Sequence, residues 1–194
     1  MGSSDEEVSP AILEACRRGD RDALRALYEA YKDKVYSIAF YFFHGDAAAA
    51  GDVTQQVFLR LIQVMAKFRG DSAFSTWLYR LVVNACVDRA RRGKTDPLPA
   101  TAAVLEAVRD PMASHEDVFV RREVAQSVHA AIASLPPKLR VAILLRYFDE
   151  LSYADMARAL NCSIGTVASR LSRGHRILAK KLASLRTALP REGL

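Results

Sequence analysis

The chain has 194 residues, 51% of them hydrophobic, and a formal net charge of +6 with only 7 prolines and 9 glycines. That hydrophobic share excludes a disordered chain, the length allows one domain or two small ones that can each bury a core, and the scarcity of alternating stretches points to an all-α fold. A pI of about 9.4 suits a polyanionic partner without proving one.

In chain order, the first block runs over residues 10–93. Asp20 can cap a helix whose apolar positions Ala23, Leu24, Leu27, Tyr31, Val35, Ile38, Ala39 and Phe42 recur at i, i+3, i+4, i+7 steps, so one face is buried. Asp46 or Asp52 opens the next helix, with Val53, Val57, Leu61, Ile62 and Phe68 inward and Asp52, Gln55, Gln56, Arg60 and Gln63 on the other face. Phe68-Arg-Gly-Asp-Ser is a break with Gly70 as turn residue and Asp71 or Ser72 as the next cap. The third long helix buries Phe74, Trp77, Leu78, Leu81, Val82 and Ala85 and carries a polar stripe of Thr76, Arg80, Asn84 and Asp88, ending in Arg89-Ala-Arg-Arg-Gly93. The phase of Trp77 assigns it to the core rather than to stacking on bases; Tyr79 and Phe68 are the better stacking candidates.

Residues 94–114 read as a linker, broken by Pro97, Pro99 and Pro111, with a short helix over residues 102–108. The second block covers residues 115–189. One helix spans residues 117–134, and Pro136 and Pro137 start another, carrying Val141, Ile143, Leu144 and Tyr147, at the one place where proline suits a helix. Then comes a helix-turn-helix. Ser152 is its N-cap, with Asp155 placed for its carboxylate to reach back to a free backbone N–H, and Met156, Ala157 and Leu160 form an apolar face. Asn161 tolerates the left-handed conformation that ends a helix, and Ser163 caps the next one. On that second helix Val167, Leu171, Gly174 and Leu178 share one side, with Ile177 at its margin, and Ser169, Ser172, Arg173 and Arg176 share the other. From Ile164 to Leu182 it holds Arg170, Arg173, Arg176, Lys180 and Lys181 and no acidic residue, a field that suits phosphate and side chains that can read guanine edges in a major groove.

Cys16, Cys86 and Cys162 are odd in number, far apart and without a C-x-x-C partner, which points to buried free thiols in a reducing cytosol and away from a disulfide framework or zinc site. The acidic opening Met-Gly-Ser-Ser-Asp-Glu-Glu is unlike a secretion signal, and the longest strongly apolar stretch, residues 35–43, is too short for a bilayer. A cytoplasmic protein without membrane insertion, cofactor or metal is expected. An enzyme is poorly supported: His44, His115, His129 and His175 are scattered, and no H-E-x-x-H, G-x-S-x-G or phosphate-cradling glycine loop occurs.

Two strings carry a family resemblance. Asp52-Val-Thr-Gln-Gln-Val-Phe-Leu-Arg60 followed by Lys67-Phe-Arg-Gly-Asp-Ser-Ala-Phe-Ser-Thr-Trp-Leu-Tyr-Arg-Leu-Val-Val-Asn84 resembles region 2 of extracytoplasmic-function (ECF) sigma factors of the sigma-70 type. Ser134-Leu-Pro-Pro-Lys-Leu-Arg140, Leu144-Leu-Arg-Tyr-Phe-Asp-Glu-Leu-Ser-Tyr-Ala-Asp-Met-Ala-Arg-Ala-Leu160 and Gly165-Thr-Val-Ala-Ser-Arg170 resemble region 4. The order is right, no bulky region 3 intervenes, the likeness covers about residues 10–185, and the Phe68 to Asn84 string is sigma-E-like.

The resemblance implies a dissociable RNA polymerase subunit with two helical domains on a flexible linker. It would bind the core enzyme at the β′ clamp helices and β flap, recognise −35 and −10 promoter elements, and be held silent by an anti-sigma factor. Residue by residue, it puts Asp52, Gln55, Gln56, Arg60 and Gln63 on the clamp helices. It gives −10 recognition and melting to Phe68, Asp71, Ser72, Thr76, Tyr79, Arg80, Asn84, Asp88 and Arg91, with Asn84 holding a flipped base and Arg80, Arg89, Arg91 and Arg92 holding phosphates or separated strands. It gives −35 contact to Arg146, Thr166, Ala168, Ser169, Arg170, Ser172, Arg173 and Arg176. The family often has Lys or Arg at the position of Ala168, and its sigma-E-like members have larger side chains at both Ala168 and Ser172, so fewer long side chains reach the groove here and the departure bears on the preferred −35 sequence rather than on binding at that groove. The competing reading is a stand-alone helix-turn-helix regulator whose N-terminal helices dimerise; it predicts a homodimer on a palindrome and leaves the Phe68 to Asn84 string unexplained.

Overall fold

The computed structural model of the chain describes residues 8–92, 115–148 and 150–183, with side chains from residue 123 onward in the helix that starts at His115. The expected linker over residues 94–114, its short helix over 102–108, and the end of the second block at 189 lie outside the described residues. Eight α-helices are described: α1 (Pro10–Arg17), α2 (Arg21–Phe42), α3 (Ala47–Val64), α4 (Phe74–Arg92), α5 (His115–Ala133), α6 (Pro137–Tyr147), α7 (Tyr153–Ala159) and α8 (Ile164–Lys181). A single 3-10 turn, Met65–Lys67, follows α3. Among the described residues there is no strand, and no helix is long and apolar enough to cross a membrane.

The starts of the helices follow from local chemistry. Asp20 accepts a hydrogen bond from the Ala23 amide and Asp46 from the Ala49 amide, each satisfying a backbone donor the helix cannot pair itself. Ser9 does the same for α1, a helix with no counterpart in the pattern analysis because it spans only two turns. Pro137 occupies the first position of α6.

α2 is the hub. It packs on α1, α3 and α4 within the first block and on α5 and α6 of the second. Its buried residues Leu27, Tyr31, Val35, Ile38, Ala39 and Phe42 are those the spacing predicted, with Ala23 and Leu24 half-buried. α3 departs from expectation at one position. Val53, Val57 and Leu61 are buried, but Ile62 is 53% exposed, because it follows Leu61 by a single residue and so turns about 100° away from the core.

The helix-turn-helix forms as predicted, with one exchange of partners. Ser152 Oγ accepts from the Asp155 amide and donates to the Asp155 carboxylate, so that carboxylate bonds the hydroxyl instead of the expected backbone N–H. Asn161 ends α7 with φ +48°, and Ser163 Oγ accepts from the Thr166 amide. Val167, Leu171 and Gly174 are the buried residues of α8. Gly174 lets α8 approach α6 closely: a Cβ there would sit 3.0 Å from the Ile143 side chain.

The two blocks pack directly against each other. α7 lies on α4 and α6 lies on α2, and the buried apolar residues form one continuous cluster across both blocks. Arg140 of α6 fastens this junction. It is 6% exposed and its guanidinium donates to the carbonyls of Phe42, Ala133 and Leu135, meets His44 Nε2 at 3.0 Å and lies over the Phe42 ring. Burial lowers its pKa to about 10, still charged at neutral pH. The three cysteines are free; Cys16 and Cys86 are buried, and burial pushes the Cys86 thiol up to about 12.

Candidate functional site

Two polar faces that the sequence analysis read as separate surfaces are the two walls of one groove. α3 contributes Asp52, Gln55, Gln56, Arg60 and Gln63, and α4 contributes Arg80, Asn84 and Asp88, around a space of about 710 Å³. Trp77 stands in the same groove, half-buried and packed on the rings of Phe68 and Phe74 at 5.3 and 5.8 Å. It therefore belongs to the core on one side, as its phase predicted, and faces solvent on the other. Asp52 is paired with Arg89 at 3.1 Å, tying the start of one wall to the end of the other.

The groove also holds a residue that pattern reading passed over. Leu59 is 56% exposed on the α3 wall, and Ile62, one turn on, is nearly as open. Two large aliphatic side chains exposed beside glutamines form a local apolar patch in a polar rim, the composition of a protein-docking surface. The signal available in the sequence was Leu59 itself, an apolar residue out of phase with Val57 and Leu61.

The loop ahead of α4 carries further candidates. Asp71 is exposed and Ser72 half-exposed, and α4 starts at Phe74, so neither stands at its cap position. Ser72 Oγ instead bonds the Ala73 carbonyl at 3.3 Å. Three other candidates present no open surface in this arrangement: Phe68 at 6%, Thr76 at 2% and Tyr79 at 1% exposure. Phe68 is clasped between Phe74 and Trp77. Thr76 donates to Asp155 of α7 at 3.4 Å, so the second block covers it. The polar stripe of α4 is thus free at Arg80, Asn84 and Asp88 and covered at Thr76. Arg91 is exposed and lies 4.0 Å from Asp88.

The outer face of α8 is open. Ala168, Ser169, Ser172, Arg173 and Arg176 are exposed, Thr166 and Arg170 half-buried, and no acidic residue occurs on the helix. Arg173 folds back on its own helix, its Nε bonding the Ser169 carbonyl at 3.2 Å and Nη2 the Ser169 hydroxyl at 3.3 Å. Thr166 Oγ1 lies 2.9 Å from Ser163 Oγ. Arg146 is half-buried and braces the turn before α7 by donating to the Glu150 and Leu151 carbonyls at 3.3 and 3.2 Å. A second groove, of about 440 Å³, brings Arg91 of α4 together with Arg170 and Arg173 of α8 over Val87, Ala90 and, at the start of α6, Pro136 and Pro137.

Comparison with known proteins accounts for both halves of this arrangement. Residues 27–95 match the family model for sigma-70 region 2, and residues 125–178 match that for sigma-70 region 4. The RNA polymerase sigma-H factor of Pseudomonas aeruginosa is 37% identical over 188 residues, 93% of this chain and 96% of that protein. The ECF RNA polymerase sigma-E factor of Escherichia coli K12 is 34% identical over 194 residues, covering 94% and 98%. Among solved structures, CnrH in complex with the cytosolic domain of CnrY shares the fold, with a TM-score of 0.67 at 20% identity over 92% of this chain and 99% of that one.

Proposed function

The chain belongs to the ECF sigma factors of the sigma-70 family, and from that membership we infer which of its surfaces carries each part of the work. It is a non-enzymatic subunit of RNA polymerase that recognises promoters and initiates transcription. Membership sets aside the stand-alone regulator, which has no use for the α3–α4 groove.

The first block, residues 10–93, binds core polymerase through α3 and reads and melts the −10 element through the loop ahead of α4 and the open part of its stripe. Asn84 holds a base that has left the stack; Arg80 and Arg91 hold phosphates. The observation that carries this reading is the shared groove. Melting without ATP needs a base trap beside a surface anchored to the enzyme, and here both sets of side chains line one space. Leu59 and Ile62 supply the apolar centre of the polymerase contact, with the glutamines and Arg60 as its rim. The second block, residues 115–189, reads the −35 element with the outer face of α8 and touches the β flap.

Arg91 and Arg173 line one groove in the packed arrangement. Two readers of separated stretches of one duplex cannot work side by side, so the blocks part when the protein engages a promoter. The packed arrangement is the one an anti-sigma partner would favour; CnrH, which shares the fold, is in complex with the cytosolic domain of CnrY. Because it acts on RNA polymerase, the protein works in the cytoplasm.

Titrating the protein into core polymerase on a size-exclusion column tests the docking assignment. A one-to-one complex forms with the native chain, and the pair Leu59→Ser and Ile62→Ser abolishes it while leaving the helical signal intact. Co-elution unaffected by the pair removes α3 as the docking face.

A further inference from the structure

The geometry points to Arg17 of α1 as a positioning residue for −10 selection, acting through the Phe68–Ala73 loop. This rests on the assignment of that loop and Asn84 to the −10 element.

α1 sends one side chain into the loop that precedes α4. Arg17 Nη2 donates to the backbone carbonyl of Phe68, and the same guanidinium lies 5.5 Å over the Phe68 ring. Its other terminal nitrogen is held by Glu14 at 3.0 Å, which fixes the plane of the fork. Its Nε is buried with no partner among the described residues, a loss accepted only where the rest of the group is well engaged. One cation thus grips both the main chain and the side chain of a single residue.

That residue opens the loop. Phe68 leaves the 3-10 turn with extended backbone, φ −71° and ψ 112°, and Gly70 then reverses the chain at φ +80°. The Phe68 ring is wedged against Phe74 and Trp77, so its position also sets where α4 begins and where the groove wall around Trp77 and Asn84 stands. A loop hinged on a glycine has many accessible paths. Clamping the carbonyl before the hinge selects among them, and recognition of an extruded base depends on donors and acceptors held to within about an ångström. Arg17 need not touch DNA to have this effect. Lysine could keep the charge but not grip the carbonyl while its neighbour holds the plane, because it lacks the planar fork.

The test uses holoenzyme carrying Arg17→Ala, Arg17→Lys or Asn84→Ala, on promoters that differ only in the base at the extruded −10 position. Open-complex formation is read by fluorescence of 2-aminopurine beside that base. We expect both Arg17 variants to lower the preference for the favoured base by about 10- to 100-fold, with affinity for core polymerase and for an isolated −35 duplex unchanged. A uniform loss on all templates that lysine restores would mean a direct phosphate contact and overturn the proposal. Undiminished preference in both Arg17 variants, with preference lost in Asn84→Ala, would overturn it while leaving the −10 assignment standing. If no variant alters preference, the −10 assignment falls and takes the proposal with it.

Discussion

The two helices assigned to DNA, α4 and α8, are held in opposite ways. α8 rests on the protein by one stripe, Val167, Leu171 and Gly174, and leaves Ala168, Ser169, Ser172, Arg173 and Arg176 of the other exposed. α4 is buried on most of its circumference, its polar stripe is open only at Arg80, Asn84 and Asp88, and α7 caps the remainder through Thr76. A helix that reads an intact duplex needs a long exposed face, because the major groove accepts it whole. A helix that traps a base out of the stack needs a rigid, recessed wall and a way to uncover it. On the assignment proposed above, α8 would meet the −35 element as folded, whereas the use of α4 at the −10 element would depend on the junction between the blocks.

The largest expected effect breaks that junction. Arg140→Leu leaves the carbonyls of Phe42, Ala133 and Leu135 without this donor at a largely buried junction. It should cost about 2–4 kcal/mol, read as a lower midpoint in urea, and should enlarge the radius of gyration in solution. An unchanged midpoint and radius would show that Arg140 does not fasten the blocks. Next, Arg173→Ala should weaken −35 binding by about 1–3 kcal/mol where its guanidinium pairs with a base, leaving block packing alone. Unchanged affinity removes it from the contact list. Gly174→Val forces a methyl toward Ile143, and should destabilise the α6–α8 contact by about 1–3 kcal/mol, detected by thermal melting. Replacing Ser163 by Ala removes the cap of α8 and should cost about 1 kcal/mol, the smallest of the stability changes.

Acid should loosen the junction in the same sense as Arg140→Leu. A guanidinium has no acceptor, so the 3.0 Å contact with Arg140 requires His44 to be neutral at Nε2. The groups facing this spot from the packed elements are Arg140 of α6, His129 of α5 and Tyr41 of α2; the charges acting on both histidines are positive. Burial first, then Arg140 and, for His44, also His129, hold the two imidazoles below the ordinary value of 6.5. Parting the blocks takes Arg140 away from His44, so the parted state binds more protons there. Packing is therefore complete above about pH 6.5 and weakens as pH falls below it. Small-angle scattering at pH 8 and pH 5.5 should show expansion at the lower value, and His44→Asn with His129→Gln should suppress it. Expansion undiminished in the double variant would place the acid sensitivity elsewhere.

Much of this was legible in the sequence because it is local. Caps at Asp20, Asp46, Ser152 and Ser163, the left-handed Asn161, and the apolar stripes of α2 and α8 each depend on residues within a turn or two of one another. What escaped depends on distant partners. Periodicity assigns a face to Thr76, Tyr79 and Phe68 but cannot say that Asp155 and the aromatic cluster occupy the space beyond it. Arg140 entered the sequence reading only as the end of the Ser134-Leu-Pro-Pro-Lys-Leu string, and only the arrival of α2 makes it a buried clamp. Ile62 shows the opposite error: an apolar residue assigned inward by type alone, although its position next to Leu61 turns it outward. The fold also brought together what the sequence held apart, the walls of the α3–α4 groove and the cations Arg91 and Arg173.

Run-off transcription by core polymerase, with and without the purified chain, on a library of promoter fragments tests the account most directly. It predicts initiation at defined start points only when the chain is present, lost with Asn84→Ala even though the complex with core polymerase still forms. Initiation that is the same without the chain, or is fully retained by Asn84→Ala, would contradict it.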